Sequence, residues 1–192
     1  MSVSHILLIH GYSETSLSSY SDFPTILTGV GYTVDQVVLS AFNSLDDTIT
    51  IDDLALALEE HAQDLEARGW NFPAAAVVCH STGALVARRW ILNRRQQSAL
   101  ASIPSHLITM AGANHGSTLA QVGKSVLGYV QKLLQKHVLS VGAAVLTDLD
   151  YGSDFLLRLN YEWLTAASNG LLNDIFIFSM GGDSIGNDPV VD

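Results

Sequence analysis

The chain has 192 residues, 48% of them hydrophobic, which suits one domain with a substantial core. A formal charge of −10 and a pI near 4.9 argue against nucleic acid as a partner, because a phosphate backbone is met by clustered Lys and Arg. Cys79 is the single cysteine, so disulfide frameworks and cysteine-based zinc sites are excluded.

Mean hydropathy is high at +0.27, yet no run approaches the roughly 18 apolar residues of a membrane span. Met1-Ser2-Val3-Ser4-His5 carries no basic stretch, and Ile6-Leu7-Leu8-Ile9 is too short for a signal-peptide core. A cytoplasmic location is the expectation.

His5 to His10 is an apolar run stopped by Gly11 and predicts a buried strand. Tyr12 to Tyr20, rich in Ser and Thr, reads as a loop, with a helix following over Phe23 to Val30. Tyr32 to Leu39 is a second strand. Asp52 to Arg68 is a helix: Leu54, Leu58, His61 and Leu65 recur at helical spacing, acidic residues open it and Gly69 follows it. Ala74 to Cys79 is a third strand. Gly83 to Arg95 is an amphipathic helix on which Arg88, Arg89, Arg94 and Arg95 read as a solvated face. His106 to Met110 and Asp174 to Met180 are the fourth and fifth strands.

Strands alternating with helices predict an α/β fold, a mostly parallel sheet with helices on both faces. The uniformly apolar strand runs predict central rather than edge positions. Ala111 to Asn173 is longer than a plain crossover needs. Helices over Leu119 to His137 and Ser153 to Leu164 make about 117–172 a helical insertion within one domain, either a cap over substrate or extra packing.

The segment most informative about chemistry is Val77-Val78-Cys79-His80-Ser81-Thr82-Gly83-Ala84-Leu85. A strand runs straight into Ser81 and a helix begins straight after it, which forces the central residue into a strained conformation. Small residues are needed two positions to either side, and Cys79 and Gly83 supply them. The hydroxyl then stands at the carboxyl end of the sheet, where open α/β folds bind ligands. The first N–H groups of the helix aim at the same spot, where an oxyanion would develop. The competing reading is that Ser81 simply caps the helix.

These residues resemble the α/β-hydrolase superfamily, specifically lipase-like serine esterases related to bacterial triacylglycerol lipases and to GPI inositol-deacylase-like proteins. The elbow matches Gly-x-Ser-x-Gly except that Cys79 replaces the first Gly. Leu8-Ile9-His10-Gly11-Tyr12 resembles the family's His-Gly loop. Met110-Ala111-Gly112-Ala113-Asn114-His115-Gly116-Ser117 resembles the lipase segment Gly-Thr-Pro-His-x-Gly-Ser. Gly152 to Asn160 resembles a helix start in the same lipases. The resemblance implies Ser81 as nucleophile and the backbone N–H groups of Tyr12 and Thr82 as the oxyanion hole, with His10, Gly11 and Gly83 in support.

A serine hydroxyl needs a histidine to take its proton and a carboxylate to hold that histidine. The family order is Ser, acid, His, with the acid after the next-to-last strand. Asp188, in Asp188-Pro189-Val190-Val191, looks like that acid, and Asp183 is the second choice; either could instead cap a turn. All seven histidines (His5, His10, His61, His80, His106, His115 and His137) precede the acid. Three explanations stand open: the last strand and the base lie beyond residue 192 of a longer esterase; an internal histidine serves, His115 being the best placed; or the protein is a non-catalytic relative. His10 reads as fixing the oxyanion loop, His80 as pointing away from the site and His61 as a core residue. The expected function is ester hydrolysis through an acyl-enzyme on an apolar, lipid-like ester, without cofactor or metal. An acyltransferase and a non-catalytic binding protein are the alternatives.

Overall fold

The computed structural model describes residues 2–12, 20–37, 46–117 and 142–181. The predicted Leu119–His137 helix and both candidate acids, Asp183 and Asp188, lie outside those residues.

Five strands form one sheet among the described residues: β1 (His5–Ile9), β2 (Thr33–Val37), β3 (Ala75–His80), β4 (His106–Met110) and β5 (Phe176–Met180). Every pairing is parallel, in the order β2-β1-β3-β4-β5. The chain moves outward from β1 to β2, then crosses back to β3 and continues the other way. The strand order therefore reverses between β1 and β3, the place where such sheets open a crevice at their carboxyl edge. In register, Ile9 stands beside Cys79, His80 beside Met110, and Met110 beside Met180.

Alternation along the strands divides the interior in two. Leu7, Ile9, Val77, Cys79 and Leu107 face the main core, shared with α2 (Ile51–Ala67), α3 (Gly83–Gln97), α4 (Ala143–Asp148) and α5 (Asp154–Ser168). Ile6, Leu8 and Val78 face the other way, with Tyr20 and with Leu27 of α1 (Phe23–Gly29). The start of α2 is written locally: Thr50 accepts from the Asp53 N–H while the Asp53 carboxylate accepts from the Thr50 N–H. At its far end Gly69 turns at φ 93°, the conformation that closes helices at low cost in glycine. Among the described residues no helix is long and apolar enough to cross a membrane.

The five strands and α1, α2, α3 and α5 fall within a few residues of the expected bounds, whereas α4 was not expected, and one further expectation needs correction. The α3 arginines are not a solvated face: Arg88, Arg94 and Arg95 are buried. Arg94 pairs with Glu59 and Glu66, Arg95 with Asp174, and Arg89 with Asp52 and Glu162. Those carboxylates lie on or beside other elements, so charge alone along α3 could not reveal them. Among the described residues β2 and β5 are the margins of the sheet. In β5 every residue is exposed. Apolar character reports what a strand's faces are suited to meet, not whether another strand pairs with its edge.

Candidate active site

Ser81 lies between the last residue of β3 and the first of α3, with φ +51°. That left-handed conformation costs a non-glycine residue about 1–2 kcal/mol, so its surroundings must hold it. The Ser81 N–H donates to the Met110 carbonyl at 3.0 Å, while the Ser81 carbonyl accepts from the N–H groups of Ala84 at 3.1 Å and Ala113 at 3.4 Å. Strand β4, the loop after it and the first turn of α3 thus all grip the main chain of one residue.

Close packing around the turn explains two glycines. A Cβ at Gly83 would lie 2.6 Å from the His10 carbonyl oxygen and 2.9 Å from that of Ile9. At Gly11 a Cβ would lie 3.0 Å from Ser81 Cβ. The helix can pass the end of β1, and the His10–Gly11 loop can touch the elbow, only without side chains at these positions. Cys79 is buried with its thiol directed to the Ile108 carbonyl at 3.4 Å, and burial pushes its pKa up. It therefore packs as a small apolar residue and is a poor thiolate.

Thr82 is buried, and among the described residues nothing accepts a hydrogen bond from its N–H. Such a donor at a helix N-terminus is suited to a developing negative charge. Tyr12 follows Gly11, its phenol pKa raised by burial and then by nearby Asp47. His10 is buried, and its Nδ1 lies 2.7 Å from the Gly11 carbonyl oxygen, which requires the proton on Nδ1. His80 occupies the Val78 side of β3, its ring against the Gly11 backbone. His61 is half-buried, its Nε2 3.0 Å from Asp35 Oδ1.

His115 sits in the loop after β4, two residues past the Ala113 N–H that reaches Ser81. It is exposed, and among the described residues no hydrogen bond joins it to Ser81. The structure thus brings His10, Gly11, Tyr12, Ser81, Thr82 and Gly83 to one edge of the sheet and leaves the His115 side chain turned to solvent.

Two features had no signal in the sequence. The Tyr20 hydroxyl lies 2.7 Å from the Ile9 carbonyl and 3.2 Å from that of Val78, bridging the ends of β1 and β3 on either side of the crevice. Arg88 donates to Asn114 Oδ1 at 3.1 Å and Asn160 Oδ1 at 2.8 Å. Contacts across 26 and 72 residues of chain leave no local pattern to read.

No protein-family model matches the chain, and no curated protein matches it by sequence. Solved structures do. Phospholipase PlaB from Legionella pneumophila is similar over 98% of this chain and 40% of its own, with 29% identity and a TM-score of 0.74. The same phospholipase in complex with thio-NAD matches over 96% of this chain and 38% of that one, with 30% identity and a TM-score of 0.72. The mature lipase BlEst2 from Bacillus licheniformis, at 18% identity and a TM-score of 0.62, covers 97% of this chain and 68% of its own and shares the fold. The chain therefore spans about two-fifths of the length of PlaB. By its parallel sheet, its strained Ser81 turn and these likenesses, the chain belongs to the α/β-hydrolase superfamily, on its lipase-like side.

Proposed function

We propose that the chain is a serine hydrolase that cleaves carboxylic esters through an acyl-enzyme, with Ser81 as nucleophile. The observation that carries this reading is the φ of +51° at Ser81 beside a buried Thr82 whose N–H has no acceptor among the described residues. A capping serine would have no need of such strain: Thr50 and Ser153, which cap α2 and α5, have φ of −98° and −57°. Strain held at a helix start next to an open donor is what attack on a carbonyl uses.

In this reading the Ser81 Oγ attacks the ester carbonyl, and the oxyanion rests on the N–H groups of Thr82 and Tyr12. The proton passes to a histidine, which returns it to the departing alcohol; water then repeats the sequence and frees the acid. His115 is proposed as that histidine, its exposed side chain swinging in from the loop after β4 to reach Ser81, and Asp188, or else Asp183, as the carboxylate that orients it. The likeness to a phospholipase and a lipase supports an acyl ester of a lipid as substrate.

Treating the intact protein with a fluorophosphonate tests the nucleophile. Label on Ser81 that disappears in Ser81→Ala is expected, and an unlabelled, folded protein would overturn the assignment. Turnover of p-nitrophenyl esters of increasing acyl length then reads the substrate class. A His115→Ala variant with unchanged turnover removes His115 as the base.

A further inference from the structure

We propose that Arg88 is a positioning residue for the Ser81 elbow, clamping the loop after β4 against α3 through Asn114 and Asn160. The clamp deepens the reading of Ser81 as nucleophile and rests on it.

Arg88 is set apart from its neighbours on α3. Arg89, Arg94 and Arg95 all reach carboxylates. Arg88 is 7% exposed, and among the described residues no carboxylate pairs with it. Its partners are two neutral amide oxygens and the face of Trp163, 4.9 Å from the guanidinium carbon. Burial lowers its pKa to about 10, so the group remains charged at neutral pH. A buried cation satisfied by amides and a ring depends on direction: each N–H must meet its oxygen in line.

The two amides belong to the two segments whose resemblance to lipases the elbow alone does not explain. Asn114 lies in the loop after β4, and Asn160 lies on α5 and also donates from Nδ2 to the Asn114 carbonyl at 3.2 Å. Asn114 is therefore held twice, by side chain and by main chain. Its neighbour Ala113 donates to the Ser81 carbonyl at 3.4 Å, the longest of the three hydrogen bonds on the strained residue's main chain. One turn closer to Ser81 on the same side of α3, a Cβ on Gly112 would lie 3.0 Å from the Ala84 Cβ, so loop and helix are already in contact there. Releasing Asn114 frees the loop to drift from α3 and withdraws one restraint on Ser81.

Amide hydrogen exchange, with fluorophosphonate kinetics on the same proteins, tests the clamp in Arg88→Met, Asn114→Ala and Asn114→Asp. Exchange at Ala113 and Gly116 is expected to quicken by about tenfold or more in Arg88→Met and Asn114→Ala, while amides further along α3, such as Leu92, keep the parent rate. Asn114→Asp retains an acceptor for Arg88 and should keep the parent exchange pattern. The limiting rate of Ser81 phosphonylation should fall about tenfold in Asn114→Ala with the probe's half-saturation unchanged, as misplacement rather than lost binding requires. Parent-like exchange at Ala113 in Asn114→Ala, or acceleration spread evenly along α3, overturns the clamp. If Arg88→Met fails to fold, the two Asn114 variants decide. A parent protein that takes no label refutes the nucleophile instead, and the exchange data still decide whether the loop is clamped.

Discussion

Gly83→Ala puts the reasoning about the elbow under the most direct strain. In an ordinary helix the change would stabilise by up to about 1 kcal/mol. Here the added Cβ would lie 2.6 Å from the His10 carbonyl oxygen and 2.9 Å from that of Ile9, whereas a carbon approaches such an oxygen to about 3.3 Å at closest. Helix and strand end must part by about 0.7 Å, the difference between those limits. Neither obstacle is a side chain that can swing away; both are main chain of β1 and the loop that follows it. Overpacking costs about 1–3 kcal/mol, and with rigid backbone on both sides the upper part of that range applies, for a net loss of about 2 kcal/mol. At roughly 2–4 °C per kcal/mol for a chain of this size, the midpoint of thermal unfolding should fall by about 4–8 °C.

The same displacement moves Thr82 and Tyr12 relative to Ser81, and misplacements near 1 Å cost on the order of a hundredfold in rate. Circular dichroism melts and fluorophosphonate labelling read the two effects separately. Gly29→Ala is the control, because a Cβ there meets nothing within 4 Å; it should melt at or slightly above the parent. A Gly83→Ala protein that melts no lower than the parent and labels at the parent rate would refute the account of the elbow.

Ser81→Gly should abolish labelling while raising stability by about 1 kcal/mol, because glycine adopts a φ of +51° without penalty; urea denaturation checks it, and a destabilised variant would mean that no strain is held there. Asp148→Asn is expected to raise the melting midpoint at pH 7. Burial raises the Asp148 pKa against the hydrogen bond from the Ile51 N–H, so its protonated form is favoured in the fold, a stabilisation present in acid and lost as pH rises through the raised pKa. The advantage of Asn should therefore vanish near pH 3, and a gap independent of pH would contradict it. Arg94→Met removes a buried cation from Glu59 and Glu66 and should cost about 3 kcal/mol at pH 7. Burial raises the Glu59 pKa, but hydrogen bonds from Arg94, Gln63 and Trp90 outweigh it and the net shift is downward. That stabilisation is present above the ordinary carboxylate range and lost as pH falls, so the deficit of Arg94→Met should narrow in acid.

What could be read from the sequence was local. The run into Ser81, Gly83 after it and His10-Gly11 after β1 are contiguous patterns, and each reflects a constraint within a few residues of itself. Residues that act over distance left no such trace. Arg94 and Arg95 have the spacing of a solvated helix face, and only the position of α2 and of Asp174 shows why they are buried. The exposure of β5 was invisible for a related reason: Phe176-Ile177-Phe178 is apolar whether or not anything covers it. His115 was singled out by its loop, and the loop does lie at the elbow, but a side chain's direction depends on backbone turns that spacing does not encode.

The distribution of charge on α3 follows from the demand that Ser81 makes. A left-handed serine persists only if the elements on either side of it cannot slide, and apolar packing alone resists sliding weakly because it has no preferred direction. Guanidinium groups do have direction, with donors in a fixed plane. On α3 they reach Asp52 on α2 and Glu162 on α5 through Arg89, Glu59 and Glu66 on α2 and the Ser102 carbonyl through Arg94, and Asp174 ahead of β5 through Arg95. The helix that begins at the elbow is thereby fixed in depth and rotation against four other parts of the fold: α2, α5 and the segments ahead of β4 and β5. Moving it by the fraction of an ångström that would relax Ser81 would bend several charge-assisted hydrogen bonds at once. Strain of about 1–2 kcal/mol at one residue is small against that combined resistance, which is why a serine can remain at φ +51° without being replaced by glycine.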